Sequence, residues 1–359
     1  MSDRILLGTR KGLFTFKKRN DGWALTSMDF PGQPVSQLLF DKRDGGLYAA
    51  LNLGHFGPKL HRSHDDGRSW QELSMPAFAE APEGEDKVSV DQIWAMATAG
   101  PDKPHGLWAG TNPGGLFYSA DGGDSWTLND GLWDHPLRQK WMGGGYDKPG
   151  IHSICVDPRD SDRVAVAVSV GGVWLSEDGG KNWEARAKGM KATYMPPDMQ
   201  ENPEAQDPHQ MVQSPSDPDQ YWVQHHCGIF RSIDNLSTFE TIAPEPCSNF
   251  GFAVAVHPKD GNTAWFVPAV KDEYRYPKDG KFIASRTRDG GKSFEVLSKG
   301  LPGEASYDLV YRHGMDVDHT GEQLVMASTT GGAWVSEDGG DSWSALPCRL
   351  PPAYVARFA

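Results

Sequence analysis

Three histidines occupy the same place in three similar stretches of this sequence. The stretches read GIHSICVD, DPHQMVQS and RHGMDVD, and in each the histidine stands five residues before the last residue. These histidines are His152, His209 and His313. Neutral imidazoles brought to one place can bind a divalent transition metal and leave a position open for water or substrate. Without a metal, an imidazole can act as a general base because its pKa lies near neutrality.

Further histidines lie close to these stretches or in corresponding loops. His225 and His226 end the apolar run that follows the second stretch, and His55 stands in a matching loop earlier in the chain. The residues that we predict to bind a divalent transition metal are His152, His209, His225 and His313. The alternative is that these histidines hydrogen-bond neighbouring loops, or bind a polar ligand without a metal.

Long polar segments add aromatic and charged groups, at 129–150, 188–208 and 298–311. Aromatic faces beside a few charged groups suit a sugar or another partly apolar small molecule, and the glycine run 143–145 would let the backbone approach it. The predicted ligand-binding residues are His55, Arg138, Trp141, Tyr146, His226, Tyr274, Arg275 and Arg312. The candidate catalytic residues are His152, His209 and Tyr307. The alternative for Trp141 is that it anchors its own loop.

A repeated motif, S/T-x-D-x-G-x-x-W/F, organises the chain that must position these residues. It is intact at Ser63, Ser119, Ser176, Thr287 and Ser336, and recurs about every 55 residues. A sixth copy, SIDNLSTF from Ser232, lacks the glycine, and a seventh is reduced to KKRNDGW. The aspartate can accept hydrogen bonds from its own turn, the glycine permits a positive φ, and the aromatic residue covers the hairpin.

Short β-rich runs bounded by turn residues precede each motif, as in RVAVAVSVGGVWLS (163–176). Four antiparallel strands per repeat predict one blade of a propeller. We therefore predict an all-β fold, a seven-bladed β-propeller that forms a single domain over residues 1–359. Its first blade lacks an inner strand, and we expect residues 353–359 to supply it beside residues 4–10. The histidines and long loops would then meet at the mouth of the channel.

The repeats resemble those of the bacterial neuraminidase repeat, or Asp-box, β-propeller superfamily along the whole chain. The stretch WVQHHCGIFRS (222–232) is also similar to bacterial proteins labelled glycosyl hydrolase or exo-sialidase. The resemblance implies that the motifs are structural and face away from an active site. Sialidases of this type carry an Arg-Ile-Pro signature, which is absent here. We therefore do not expect ordinary sialidase activity. A glycosidase would need two facing carboxylates. The loop carboxylates available are Asp147, Asp198, Asp207, Glu304 and Asp308.

The composition argues against some partners and some cell compartments. The formal net charge of −13 argues against nucleic acid as a partner. The sequence has no membrane-spanning run and no signal-peptide pattern, and its four cysteines fit no CxxC spacing. These features predict a reduced, cytoplasmic protein without a membrane partner.

Two functions remain open at this point. One is a small-molecule or glycan-binding propeller, with a metal-dependent or histidine-based hydrolase or lyase site at the channel mouth. The other is a non-catalytic scaffold or assembly factor that binds a protein. Exposed aromatic and charged groups concentrated in a few long loops favour the first function. The sequence does not predict an oligomeric state.

Overall fold

The structure, a computed structural model, describes residues 1–79, 88–144 and 146–359. Its strands, numbered in chain order, form seven four-stranded antiparallel sheets in the described part of the chain. The strand number and order confirm the predicted fold class, an all-β seven-bladed propeller. Among the described residues, no helix has the length and apolarity needed to cross a bilayer.

Contacts within the chain define two compact units. One comprises residues 1–35 and 209–359 and the other residues 36–208, so the divisions fall at the first residues of two strands. The expectation of a single domain stays a prediction.

The first unit contains four sheets. The first sheet has β1 (Arg4–Thr9), β2 (Gly12–Arg19), β3 (Gly22–Asp29) and β28 (Ala353–Phe358). The fifth sheet has β16 (Pro208–Gln213), β17 (Tyr221–His225), β18 (Gly228–Ser232) and β19 (Glu240–Ile242). The sixth has β20 (Gly251–His257), β21 (Asp260–Pro268), β22 (Ala284–Thr287) and β23 (Glu295–Leu297). The seventh has β24 (Met315–Val317), β25 (Leu324–Ala327), β26 (Ala333–Ser336) and β27 (Ser344–Ala345).

The second unit contains three sheets. The second sheet has β4 (Val35–Asp41), β5 (Gly46–Asn52), β6 (Pro58–Ser63) and β7 (Gln71–Leu73). The third has β8 (Gln92–Thr98), β9 (Leu107–Asn112), β10 (Leu116–Ser119) and β11 (Thr127–Leu128). The fourth has β12 (Ile151–Val156), β13 (Val164–Val168), β14 (Gly172–Ser176) and β15 (Glu184–Arg186). One short α-helix, Asp130–Trp133, follows β11, and 3-10 turns lie at Gly54–Phe56, Pro136–Lys140, Pro203–Ala205, Lys278–Gly280 and Arg312–Gly314.

The C-terminal strand completes the first sheet, as the sequence predicts. β28 pairs with β1 from Ile5 opposite Phe358 to Thr9 opposite Ala353. Val355 and Ala356 are fully buried, and Ala356 belongs to an apolar cluster shared by the first and seventh sheets. The pairing removes an edge from β1 that would otherwise present unpaired backbone groups.

The repeat motif builds the same hydrogen-bonded turn in its six copies from Ser63 to Ser336. In the copy at Ser119, the Asp121 carboxylate accepts from the Ser119 hydroxyl at 2.8 Å and from the Ser125 amide at 2.9 Å. The copy at Ser232 keeps the turn without its glycines, because Asn235 and Leu236 adopt positive φ of 55° and 64°. The Leu236 amide still donates to the Ser232 hydroxyl at 2.9 Å. The serine and aspartate thus fix the turn even where the backbone is strained.

Candidate functional site

The densest group of predicted site residues surrounds one phenylalanine near the start of β20. Phe252 is 3% exposed, and the His209 ring stacks on it with centroids 4.4 Å apart and an interplanar angle of 13°. The guanidinium carbons of Arg275 and Arg312 lie 5.4 and 5.6 Å from the Phe252 centroid. We call the group His209, Phe250, Phe252, Arg275, Tyr311 and Arg312 the Phe252 cluster. It brings together three residues that the sequence predicted separately: His209, Arg275 and Arg312.

The imidazole of His209 is held in one orientation. Its Nδ1 atom lies 2.6 Å from the carbonyl oxygen of Gly251, which can only accept, so Nδ1 carries the proton. A neutral ring protonated at Nδ1 has its lone pair on Nε2. A Cβ at position 251 would lie 2.7 Å from the carbonyl oxygen of Val267, so only glycine fits this packed backbone. The bond to Gly251 therefore fixes the orientation and the tautomer of the His209 ring.

The adjacent histidines 225 and 226 have different surroundings. His225 ends β17, is fully buried, and accepts from the Cys227 amide through Nδ1 at 3.0 Å. Its ring meets Phe230 of the same sheet edge-on at 5.2 Å. His226 stands in the β17–β18 turn, is partly exposed, and has its ring 5.5 Å from that of His209. Of the pair, the structure brings His226 to His209.

In the second unit, the predicted loop carboxylate Asp207 is 6% exposed. The Asp207 carboxylate accepts from the Val170 amide at 3.1 Å. Val170 has a φ of 47°, a conformation that β-branched residues rarely adopt. A strained backbone thus helps to place this carboxylate.

Arg275 is tied to its own segment. Its Nε atom donates to Asp272 Oδ1 at 3.0 Å, and the two groups form an ion pair. Burial acts to lower the pKa of Arg275, but hydrogen bonds to Asp272 and Tyr311 outweigh it and raise the pKa. The guanidinium therefore stays charged.

Exposed tyrosines flank the Phe252 cluster in sequence. Tyr274 and Tyr307 are 54% and 68% exposed, and the Tyr276 ring lies 6.0 Å from that of Tyr307. The Lys271 ammonium lies 5.0 Å from the Tyr274 ring. We call Tyr274, Tyr276 and Tyr307 the tyrosine face.

His313 differs from its two counterparts in local structure. His152 and His209 are the second residues of β12 and β16, whereas His313 lies in the 3-10 turn before β24. The Gly314 amide closes that turn on the Tyr311 carbonyl at 2.6 Å, so the strand begins later than the alignment predicts. The His313 carbonyl accepts from Arg357 at 3.2 Å.

In the second unit, His152 is fully buried and its Nδ1 atom lies 3.0 Å from the Ser153 hydroxyl. The Trp94 ring contacts both the His152 ring, at 5.5 Å, and the Tyr146 ring, at 5.0 Å. Tyr146 is 48% exposed, so this group reaches the surface through the tyrosine. Gly145 lies outside the described residues, so the predicted glycine run is seen only in part.

Arg138 and Trp141 support their loop. The Arg138 guanidinium stacks 3.2 Å from the Trp133 centroid, and burial lowers its pKa to about 10. Trp141 is 7% exposed and packs on Trp174 at 5.6 Å. These contacts match the alternative that Trp141 anchors its loop. His55 sits in an exposed 3-10 turn with its ring 3.9 Å from that of Phe56.

The sequence analysis assigned no role to several residues described above, namely Phe252, Gly251, Tyr311 and Val170. It named Asp207 only as one of five loop carboxylates. Asp308, another of those, accepts from the Ser306 and Ser328 hydroxyls at 2.6 and 2.7 Å. The aromatic–glycine–aromatic sequence at 250–252 was the one visible signal.

No family model matches the chain. Over 86 residues it is 36% identical to an oligoxyloglucan-reducing end-specific xyloglucanase of Emericella nidulans. Over 86 residues it is also 33% identical to a probable oligoxyloglucan-reducing end-specific xyloglucanase of Neosartorya fischeri. Each match covers 24% of this chain but only 10% and 9% of those relatives.

Solved structures resemble more of the chain. An ancestral GH74 enzyme has a TM-score of 0.62 at 16% identity, covering 87% of this chain and 38% of that one. YCF48 from Cyanidioschyzon merolae has a TM-score of 0.56 at 12% identity, covering 89% and 87%. YCF48 bound to D1 peptide has a TM-score of 0.53 at 17% identity, covering 87% and 82%. At these identities the similarity is one of fold.

Proposed function

We propose that the protein binds a neutral oligosaccharide at the tyrosine face and the adjoining Phe252 cluster. The observation that carries this proposal is the exposure of Tyr274 and Tyr307, 54% and 68%, on two segments that meet through Tyr276. Large aromatic side chains are mostly buried in folded proteins, and exposed groups of them mark binding surfaces.

The chemistry of the surrounding groups supports a sugar. Aromatic rings offer flat apolar faces to the C–H groups of a pyranose, and the tyrosine hydroxyls add hydrogen-bonding atoms. Asp272 and Arg275 side chains are 37% and 40% exposed beside these rings. They supply both acceptors and donors for sugar hydroxyls.

The names of the relatives indicate which class of saccharide to test first. Both curated proteins with a short match to this chain are named for oligoxyloglucan. His209, a predicted catalytic residue that packs in the Phe252 cluster, is the residue to replace first if the bound sugar is hydrolysed. Binding and hydrolysis are separate parts of the proposal and need separate measurements.

The test is a calorimetric titration of the full chain with xyloglucan oligosaccharides. Loss of one stacked ring costs about 0.5–1.5 kcal/mol, so Tyr274→Ala and Tyr307→Ala should each weaken binding about 2- to 12-fold. Val296→Ala removes another exposed apolar side chain, 47% accessible on β23, and should bind as the wild type does.

Two outcomes would overturn the carbohydrate proposal. One is the absence of saturable binding to any neutral saccharide, and the other is full affinity in the double tyrosine variant. Binding of an extended peptide at the same tyrosines, without saccharide binding, would favour the protein-binding scaffold instead. Product analysis of the bound oligosaccharide after incubation tests hydrolysis.

A further inference from the structure

We propose that β3, the outer strand of the first sheet, binds an extended acidic segment of a partner protein, which adds to the sheet as a fifth strand. This inference goes beyond the carbohydrate proposal and does not depend on it, because β3 belongs to the first sheet and Tyr274 lies between two strands of the sixth. Three features support it: the length of this edge strand, the direction of its backbone groups, and the charge of the residues beside it.

The outer strand of the first sheet is much longer than its counterparts. β3 has eight residues, whereas the outer strands of the other six sheets have two or three residues each. Proteins commonly keep edge strands short, because a long edge presents a row of unpaired N–H and C=O groups to other chains. In the described part of the chain, β3 pairs with β2 alone and ends the sheet order β28–β1–β2–β3. The first sheet therefore keeps an edge that is long enough to pair with a peptide.

The backbone groups of β3 point alternately towards β2 and away from the sheet. The Lys18 amide donates at 2.8 Å to the carbonyl of the residue before β1, so the backbone groups of Lys18 face β1. Those of Lys17 face β3 instead, where Lys17 lies opposite Ala24. The N–H and C=O groups of Trp23 and Leu25, on either side of Ala24, consequently point away from the sheet. They are the groups that an added strand would bind.

A β-bulge gives β3 two apolar side chains on one face. The pairing of β2 with β3 skips Thr26, whose hydroxyl donates back to a β2 carbonyl at 3.1 Å. Because of this extra residue, Leu25 and Met28 lie opposite Phe16 and Phe14, which share a face of β2. Leu25 and Met28 are 42% and 49% exposed. They offer apolar contacts to alternate side chains of an added strand.

The residues beside this edge are basic although the protein is acidic. Residues 4–29 contain six Lys or Arg residues and two acidic ones, whereas the whole chain has a formal net charge of −13. Lys17 and Arg19 are exposed at the end of β2, and neither forms an ion pair within the part of the chain that the structure describes. Lys18, between them, pairs with Glu337. An added strand would run about 10 Å from β2, within the combined reach of these long side chains and of a carboxylate on the peptide.

Charge also decides between an acidic peptide and a second copy of this chain. A second copy that paired through its own β3 would present the same basic excess, and so too few carboxylates to match it. An acidic peptide supplies carboxylates to Lys17 and Arg19, and the basic group would steer it to the edge. The partner that fits β3 is therefore an extended segment in which acidic and apolar residues alternate.

The experiment titrates the full chain into a fluorescein-labelled peptide of Glu-Val repeats and follows the fluorescence anisotropy. We expect saturable binding that weakens as the salt concentration rises. Lys17→Glu combined with Arg19→Glu should weaken it about 2- to 30-fold, because each substitution removes one exposed ion pair. A peptide of the same sequence, N-methylated at every amide, should not reach saturation over the same concentrations, because it cannot donate to the edge of β3.

Lys259→Glu combined with Lys292→Glu is the matched control, because it makes the same change of charge at two exposed positions in turns of the sixth sheet. It should bind the peptide as the wild type does. The proposal is overturned if the Glu-Val peptide shows no saturable binding, if the methylated peptide binds equally well, or if the control variant loses affinity as much as the β2 variant. A wild-type dimer that dissociates on Leu25→Asp, measured by sedimentation, would overturn it in favour of a second copy.

Discussion

The Nδ1 atom of His209 lies 2.6 Å from the carbonyl oxygen of Gly251, and the next residue, Phe252, stacks on the same ring at 4.4 Å. Two consecutive residues of β20 therefore fix both the proton and the plane of one imidazole. The bond to Gly251 sets the tautomer of the ring. The stack on Phe252 limits how the ring can turn.

Two substitutions of His209 test how much its hydrogen bond to the Gly251 carbonyl stabilises the fold. The asparagine amide nitrogen takes a place close to that of Nδ1 and can donate to Gly251, but it has no counterpart of Nε2. His209→Leu leaves a buried carbonyl without its donor, which costs about 1–3 kcal/mol. We expect His209→Asn to be the more stable variant in urea unfolding. Equal stability of the two variants would show that the Gly251 bond contributes nothing.

The contact between Gly8 and the C-terminal strand gives a second prediction. A Cβ at Gly8 would lie 2.5 Å from Val355 Cγ1 and 2.9 Å from the Val35 carbonyl oxygen. Gly8→Ala should therefore lower the free energy of unfolding by about 1–3 kcal/mol through overpacking. Gly303→Ala has open space around the new methyl group and should unfold as the wild type does. Val355→Ala removes the side-chain atom that lies nearest to the new methyl group. Adding it to Gly8→Ala should therefore restore part of the lost stability. A double variant no more stable than Gly8→Ala would contradict the overpacking explanation.

The repeat turns predict a dependence of stability on acid. The Ser125 hydroxyl and amide, and the Ser119 hydroxyl, lower the pKa of Asp121 to about 2. Asp65, Asp178 and Asp289 have pKa values lowered to about 2 by bonds of the same kind. Because the folded pKa lies below the unfolded one, this stabilisation is present above about pH 4 and is lost as the pH falls towards 2.

Asp121→Asn tests this window by thermal unfolding between pH 6 and pH 2. The variant should melt below the wild type at pH 6, and the difference should shrink as the wild-type carboxylate is protonated. The effect should be modest, since water screens these exposed groups. Asp21→Asn, in the exposed β2–β3 hairpin, serves as the control. A difference that stays constant down to pH 2 would contradict the lowered pKa.

The sequence predicted the sheets better than the site. A motif that repeats from Ser63 to Ser336 sets strand number and order, because each copy imposes its own turn. The pairing of residues 353–358 with 4–9 followed from the missing strand of the first repeat. Such features depend on local hydrogen bonds and on the number of strands in each repeat, and both can be inferred from the sequence.

The contacts of the histidines could not be predicted in the same way. His225 and His226 are neighbours, and sequence alone cannot tell that one accepts from Cys227 while the other turns towards His209. The sequence analysis gave Phe252 no role, yet it is the ring against which His209 packs. These relationships depend on side-chain direction across strands far apart in the chain.

The pairing of β1 with β28 has a consequence for how the molecule is made. A ribosome releases the residues of β28 only after those of β1 and of every other described strand. Throughout translation, one side of β1 remains an open template that foreign strands could join. Nascent-chain protection by chaperones should therefore matter most for this sheet, which is the last to be completed.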